Sequence, residues 1–302
     1  MSRPGPRSIK EYLTALRAAL EGQDPALIQD ALYDAQEYLQ AEIAANPGIP
    51  EADVLERIAG TYGRPEEIAA AYRDTEVRVT RALRPPVSKR QASSSPFDQF
   101  FSVYSDPRAY MSLFFMFLSL VTGTLYFTFA VTGLSLSLGL AILIIGLPIF
   151  IVFIGMARVI SLGEGRLLEA VTGERMPRRP VHPGPRGSLW ERILAMLQDA
   201  RTWTTLAYLV LMLPLGVIYF VIATTGVSLG LALLLVPIVG MAPRTGWWSG
   251  TEPLVFNPAW LNTPIGWVFC GIVGVVVLTT LLHVARTVIA LHARAAKALL
   301  VT

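Results

Sequence analysis

The spacing of apolar residues changes character about a third of the way along the chain. In the first part, apolar side chains such as Leu13, Leu16 and Leu20 recur at helical spacing between charged ones, which is typical of amphipathic helices around a small core. Later, residues 109–157 and 202–243 contain no Asp, Glu, Lys, Arg or His. Runs of this length can cross a bilayer as helices. The pattern predicts an all-α protein, in which a small N-terminal helical bundle precedes a polytopic α-helical membrane domain.

Capping signals divide the first 77 residues into four helices. Ser8 and Glu11 have the spacing of a capping box, so the first helix begins after Ser8. Asp24 followed by proline begins the second helix, and an Asn-Pro-Gly segment ends it. Pro50 and Pro65 mark the starts of the third and fourth helices.

A hydrophobic phrase occurs twice in the membrane part, at residues 125–140 and again at residues 217–231. Each copy contains a Tyr-Phe pair, then a Thr-Gly pair, then a Ser-Leu-Gly triplet. Such self-similarity indicates an internal repeat. We expect the Thr-Gly pairs at 132–133 and 225–226 to form turns.

Four membrane spans follow from these turns. The first two are residues 109–132 and 134–157, which form a tight helical hairpin, and the third begins at Thr202. Residues 227–242 are short for a crossing, so we expect them to be re-entrant or interfacial. The last span covers residues 264–285. Five spans remain the alternative.

The charges indicate how the spans are oriented. The loop between the two halves, residues 158–201, holds eight arginines, and the positive-inside rule places such a loop in the cytoplasm. Arg286, Arg294 and Lys297 place the C-terminus on the same side. The resulting segments are the acidic head (1–77), a basic Pro/Ser-rich linker (78–106) and the membrane domain (107–302), with repeat one at 108–158, the amphipathic loop at 158–201, repeat two at 202–242 and the final span at 264–285.

Composition agrees with a membrane protein, because 53% of residues are hydrophobic, 16% are charged and the mean hydropathy is +0.51. The net charge of +3 hides an acidic head with 14 acidic against 7 basic residues. Cations of the linker are candidates for contacts with anionic lipid headgroups. They are Arg78, Arg81, Arg84, Lys89 and Arg90. No DNA-binding motif accompanies them, so we expect no direct contact with nucleic acid.

Catalytic and metal-binding patterns are missing from the sequence. The single cysteine, Cys270, lies in an apolar run, which offers neither a disulfide framework nor a thiolate site. The three histidines are scattered, and we interpret His283 and His292 as interfacial, solvated side chains. There is no P-loop. We therefore expect no enzyme activity, no cofactor and no metal.

The head resembles the HAAS signalling domain. The resemblance depends on Tyr12-Leu13-x-x-Leu16, the acidic helix at 30–38, and the motif Tyr62-Gly63-Arg64-Pro65-Glu66-Glu67-Ile68-Ala69-x-x-Tyr72. It implies a cytoplasmic, non-catalytic domain that couples membrane modules to PadR-like transcription regulators. Acidic and motif residues are then candidates for partner docking, although the same residues could be packing positions or a solvated face. These candidates are Asp30, Asp34, Glu37, Tyr62, Gly63, Pro65, Glu66 and Glu67.

Residues 105–300 resemble the sensor domain found at the N-terminus of many bacterial histidine kinases. The matching segments are 125–140, Ile145-Gly146-Leu147-Pro148, 158–169 and 213–237. The resemblance implies a sensor in a bacterial cytoplasmic membrane. Small and tyrosine residues of the repeat are candidates for helix packing or for a ligand groove. They are Tyr126, Thr132, Gly133, Ser137, Tyr219, Thr225, Gly226 and Gly230.

These observations favour a non-enzymatic membrane sensor that relays a membrane-associated stimulus through its head to a PadR-like regulator. Membrane lipids and that regulator are the expected partners, and a homo-oligomer is a further option. The alternative hypothesis is a small-molecule transporter or an accessory membrane subunit of an ABC-type exporter, because repeats are common in transporters.

Overall fold

The computed structural model describes residues 5–83, 95–143, 145–177, 189–241 and 259–301. Every regular element in these ranges is helical, which confirms the all-α prediction. The α-helices are α1 (Ile9–Ala19), α2 (Pro25–Ala45), α3 (Glu51–Thr61), α4 (Pro65–Leu83), α5 (Pro96–Phe101), α6 (Pro107–Gly139), α7 (Gly146–Thr172), α8 (Leu189–Gln198), α9 (Ala200–Met241) and α10 (Pro264–Val301). Short 3-10 helices cover Ser102–Ser105, Ala141–Leu143 and Ala259–Asn262.

Helices α1 to α4 pack around one hydrophobic core. The predicted core residue Leu16 is buried, as is Ile58 of α3, while Leu13 and Ile68 pack against the core as partly buried side chains. The other large buried side chains come from α1 and the residue that follows it, and from α2 and α3. They are Tyr12, Leu20, Leu27, Leu39, Val54 and Leu55.

The predicted helix starts of the head are found, but one capping hydrogen bond of α1 involves the neighbouring residue. Ser8 Oγ accepts a hydrogen bond from the Glu11 N–H at 3.2 Å. The Glu11 carboxylate accepts from the Arg7 N–H at 2.8 Å, one residue earlier than a capping box requires. Asp24 Oδ1 accepts from the Ala26 N–H at 2.8 Å and so caps α2.

The fourth helix begins without a side-chain oxygen on the residue that precedes it, because that residue is Arg64. Glu67, in the first turn, accepts the Arg64 N–H at 3.0 Å. A carboxylate near a helix N-terminus is favourable for the helix dipole as well. Glu67 therefore supplies part of the capping that Arg64 does not.

Tyrosine hydroxyls form hydrogen bonds between segments of the head. Tyr12 Oη donates to the Gly63 carbonyl at 2.8 Å, and Tyr72 Oη donates to Asp34 Oδ2 at 2.8 Å. Burial raises the pKa of Tyr12 above its ordinary value. Burial, followed by the hydrogen bond to Asp34, raises the pKa of Tyr72 in the same direction. Both hydroxyls therefore remain protonated donors at neutral pH.

Within the described residues, four helices are long and apolar enough to cross a membrane, namely α6, α7, α9 and α10. Four is the number of spans that the sequence predicts. The internal repeat stays an interpretation of the sequence, and its two copies lie in α6 and α9.

The predicted Thr-Gly turns are wrong. Helix α6 continues through residues 132–133 to Gly139, and α9 continues through residues 225–226 to Met241. Residues 227–241 are thus part of a helix and form no separate re-entrant segment. In an apolar environment a helix satisfies its own backbone polar groups, so glycine does not need to end it.

The chain turns instead between α6 and α7. Ala141–Leu143 form a 3-10 helix there, and the Gly146 N–H donates to the Leu140 carbonyl at 3.0 Å. A Cβ atom on Gly146 would lie 2.3 Å from the Ala141 nitrogen, so this turn requires glycine. Residues 158–172, predicted to belong to the amphipathic loop, are part of α7.

Contacts divide the chain into two units. The first comprises residues 1–91, 136–205 and 296–302, and the second comprises residues 92–135 and 206–295. The first unit contains the head, α7 and α8. The second contains most of α6, α9 and α10.

Glycines bring the helices of the second unit close together. A Cβ atom on Gly216 of α9 would lie 2.2 Å from the Ser119 carbonyl oxygen of α6, and one on Gly123 would lie 2.4 Å from the Met212 carbonyl oxygen. This reciprocal arrangement lets the two backbones touch, as small residues do in membrane bundles.

The repeat glycines of α9 face α10. A Cβ atom on Gly226 would meet the Leu281 side chain at 2.8 Å, and one on Gly230 would meet Leu278 at 2.6 Å. These two candidates therefore lie at a helix–helix contact.

Replacing Gly63 by alanine should destabilise the head. Gly63 has φ +114°, and a Cβ atom there would lie 3.3 Å from Glu67 Oε2 and from Ile68 Cδ1. A left-handed conformation strains a non-glycine residue, so we expect a loss of about 1–3 kcal/mol, measured as faster amide hydrogen exchange across α1 to α4. Gly60→Ala is the control, because no atom lies within 4 Å of its Cβ position. Equal exchange in the two variants would contradict the prediction.

Gly216→Ala should weaken the contact between α6 and α9. The added methyl overlaps the Ser119 carbonyl, so the two helices must separate, at a cost of about 1–3 kcal/mol. Thermal unfolding in detergent measures the change. Gly155→Ala on α7 is the matched control, because nothing lies within 4 Å of that Cβ position. A Gly216→Ala variant as stable as this control would show that the contact is not tight.

Candidate functional site

The candidate site lies where acidic side chains of the head meet a cation that follows α7. Asp30 of α2 is only 5% exposed, and its Oδ2 lies 3.2 Å from Arg175 Nη2. Arg175 also donates through Nη1 to the Glu76 carboxylate of α4. One guanidinium group therefore bridges two helices of the head.

The end of α7 positions Arg175. Gly173 adopts a left-handed conformation with φ 76°, and its N–H donates to the Glu169 carbonyl at 2.8 Å. This is a common helix C-terminus, where glycine reverses the chain direction. Met176 is fully buried and lies in van der Waals contact with the Gly165 position of α7. The buried methionine anchors the segment that carries Arg175.

A second ion pair joins the head to the end of α10. Lys297 Nζ donates to Asp24 Oδ2 at 2.6 Å, while the other oxygen of Asp24 caps α2. The Lys297 side chain is 18% exposed. This contact holds residues near the two ends of the chain together.

A third ion pair orders the segments between α7 and α9. Arg158 Nη2 lies 3.1 Å from Asp199 Oδ2. The Asp199 Oδ1 accepts the Arg201 N–H at 3.1 Å, at the start of α9. Asp199 thus neutralises one arginine and caps a helix at the same time.

The burial of these groups decides their energetic importance. An exposed ion pair contributes about 0–1 kcal/mol. The Asp30 side chain is 7% exposed and that of Arg175 is 18% exposed, so either charge left alone would be poorly solvated. Removing one partner of a buried pair costs about 3–5 kcal/mol. The Arg175 contact is therefore the dominant ion pair of the site.

The predicted exposed acidic face of the head needs correction. Asp30 is buried against Arg175, and Asp34 accepts the Tyr72 hydroxyl. Glu37 and Glu66 are exposed, and Glu67 is exposed while bonded to the Arg64 N–H. An amphipathic pattern finds the helix face but does not reveal a cation supplied from a distant segment.

The motif residues of the head hold its fold. Tyr62 stacks on Tyr38 with ring centroids 4.2 Å apart. Gly63 accepts the Tyr12 hydroxyl, and Pro65 is buried at the start of α4. Their docking role stays a prediction.

The lipid-headgroup candidates are mostly beyond the described ranges. Arg78 and Arg81 belong to α4, which extends to Leu83. Arg84, Lys89 and Arg90 lie outside the described residues.

The packing candidates differ in burial. Ser137 is 2% exposed, and Tyr126 and Gly133 are partly buried. Thr132 and Thr225 are exposed in the isolated chain. The small residues of the repeat therefore do not form a single groove-lining set.

A buried cluster of one histidine and two tyrosines in the second unit is not predicted from the sequence. His292 is 4% exposed, with Tyr208 Oη 3.1 Å from Nε2 and Tyr219 Oη 3.2 Å from Nδ1. The predicted interfacial, solvated His292 is thus wrong. The buried stripe of α10 contains the signal for it, because Ala285, Ile289 and His292 recur at helical spacing.

His283 also has protein contacts. Its Nε2 lies 3.0 Å from the Phe100 carbonyl oxygen, and its ring stacks on the Phe100 ring at 5.6 Å. The imidazole is partly buried against α5. The prediction of a solvated side chain therefore fails here as well.

Comparison with protein families gives two matches. The model described as "Putative sensor" matches residues 115–300, and the model described as HAAS matches residues 11–71. Both resemblances noted in the sequence are confirmed. No curated protein matches the chain, and neither does any solved structure.

Arg175→Gln should loosen the head. The change removes one charged partner from the buried Asp30 carboxylate, so we expect a loss of about 2–4 kcal/mol in local stability, read as hydrogen exchange in α2 and α4. Arg166→Gln is the control, because Arg166 is an exposed arginine of α7, the helix that precedes Arg175.

A second variant separates the ion pair from other effects. Asp30→Asn combined with Arg175→Gln should be more stable than Arg175→Gln alone, because the buried carboxylate is then neutral. A double variant that is no more stable than Arg175→Gln would show that the pair is not the cause.

Proposed function

Since the chain belongs to the "Putative sensor" family and carries a HAAS domain at its head, we propose that it is a non-enzymatic signalling protein of a bacterial cytoplasmic membrane. In this proposal the membrane helices detect a membrane-associated stimulus. The head passes the change to a PadR-like transcription regulator.

The observation that carries the proposal is the ionic attachment of the head. Arg175 follows α7 directly, and Lys297 belongs to α10. Both helices are candidate membrane spans. A displacement of either helix would therefore move a cation that is bonded to the head.

The same contacts support an orientation. The bond between Lys297 and Asp24 requires the head and the end of α10 to lie on one side of the membrane. Four spans are compatible with this arrangement. The excess of arginine in residues 158–201 favours the cytoplasm as that side.

Breaking these ion pairs would change which acidic groups of the head are accessible to a partner. With Arg175 bound, the Asp30 charge is covered. Glu37 and Glu66 stay exposed in either state. A regulator with a basic surface would then bind more strongly to the released head, because it replaces the cations lost by Asp24, Asp30 and Glu76.

The transporter or ABC-exporter alternative stays a hypothesis. The observation that favours this alternative is His292, an ionisable residue buried among the helices of the second unit. Such residues often belong to transport pathways. The ionic attachment of the head has no evident role in transport, and the relay is therefore preferred.

The relay can be tested with the purified full-length chain and a purified PadR-like transcription regulator. We expect a salt-sensitive complex that Arg175→Gln and Lys297→Gln strengthen severalfold, because both expose acidic groups. Glu37→Gln combined with Glu66→Gln should weaken it. Biolayer interferometry measures the affinities.

Glu56→Gln is the matched control, because Glu56 is an exposed carboxylate on α3 outside the acidic candidates. It should leave the affinity unchanged. If neither the original chain nor Arg175→Gln forms a complex at low or moderate salt, the relay is wrong.

A further inference from the structure

A small pocket opens beside the Arg158–Asp199 ion pair of the first unit. Its charged lining consists of Arg158, Asp199 and Arg201. Two arginines and one aspartate contribute to the lining, so its charged residues carry an excess positive charge. Within the described ranges, Arg201 has no ion-pair partner. The pocket therefore has a cation that remains available to an anion.

The geometry of Asp199 indicates which chemical group fits. Asp199 Oδ2 accepts from Arg158 Nη2 at 3.1 Å, and Oδ1 accepts from the Arg201 N–H at 3.1 Å. A guanidinium group and a backbone N–H at a helix start are the donors that bind phosphate oxygens in other proteins. Asp199 thus occupies two donors that an incoming phosphate could use, with the Arg201 side chain as a third.

The two arginines lie at the borders of uncharged sequence. Arg158 is the first charged residue after the run at 109–157, and Arg201 is the last one before the run at 202–243. Lipid phosphates lie at this depth, at the edge of the apolar spans. A soluble phosphate compound can reach the same position from the water.

Several segments meet at this pocket. Gln29 of the head, Ser161 of α7, Thr205 of α9 and Leu300 of α10 all line it. A ligand there would contact the head and three of the candidate membrane spans together.

We propose that this pocket binds a phosphate-bearing anion, either a lipid headgroup or a soluble phosphate, through Arg158 and Arg201, and that the anion displaces the Asp199 carboxylate from Arg158. The binding does not depend on a regulator, so it stands even if the relay fails. Only its consequence for signalling rests on the proposed function.

Two arms of one experiment distinguish the sources. In the first, the full-length chain is placed in phosphatidylcholine nanodiscs with or without phosphatidylglycerol, and bound lipid is counted by native mass spectrometry. In the second, the detergent-solubilised chain is titrated with inorganic phosphate, and its thermal unfolding is compared with that in equal ionic strength of chloride. Binding in the first arm alone identifies a lipid headgroup. Binding in the second arm, with or without the first, identifies a site open to soluble phosphate.

Variants assign the binding to the pocket. Arg201→Gln should weaken it about tenfold, because one charge-assisted hydrogen bond is lost. Asp199→Asn should strengthen it severalfold, since the competing charge is removed while asparagine still caps α9. Arg166→Gln, on the exposed side of α7, should bind as the original chain does.

The Arg201 variant decides the test, because Arg158→Gln also breaks an ion pair and could impair folding. Absence of binding in both arms would overturn the proposal. So would an Arg201→Gln variant that binds as strongly as the original chain, or a loss in Arg166→Gln equal to that in Arg201→Gln. Weaker binding by Asp199→Asn would overturn the displacement of Asp199.

Discussion

A backbone surrounded by lipid must satisfy its own hydrogen bonds, and this constraint shapes most of the chain. It keeps α6 and α9 helical through their Thr-Gly pairs, where water would have permitted turns. Glycine consequently has another role in these helices. At Gly123 and Gly216 it removes side-chain bulk so that two backbones can touch. Close packing then replaces the hydrophobic effect as the force that joins the helices, because lipid is as apolar as their side chains.

Where the apolar helices end, ion pairs determine how the segments are arranged. The first charged residue of α7, Arg158, is neutralised by Asp199, and the next segment carries Arg175 to the head. Each cation meets a carboxylate that a separate segment provides. Because an unpaired buried charge is costly, these pairs select one arrangement of the segments within the first unit. The packing of apolar residues alone would select it less sharply.

Sequence reasoning succeeded where the determinants are local. Asp24, Pro25 and Ser8 act within a few residues, and the helix starts that they predict are found. It failed where partners are distant, since Arg175 and Asp30 are separated by 145 positions and no periodicity relates them. The turns predicted at the Thr-Gly pairs of the repeat are wrong for a related reason. A Thr-Gly pair favours a turn only where water can form hydrogen bonds with the freed backbone groups. The turn at Gly146 depends instead on a close backbone approach, which a single sequence does not display.

The strength of the head contacts suits a relay. The Lys297–Asp24 pair is partly exposed, and such a pair contributes on the order of 1 kcal/mol. The more buried Arg175 contact adds a few kcal/mol at most, because desolvation opposes the Coulomb attraction. A difference of this size between attached and released heads can be reversed by a ligand that binds one state some thousandfold more tightly. Much stronger attachment would fix the head permanently, and apolar attachment would respond little to a charged ligand. In the proposed relay, ion pairs at intermediate burial keep both states within reach of a membrane-derived stimulus.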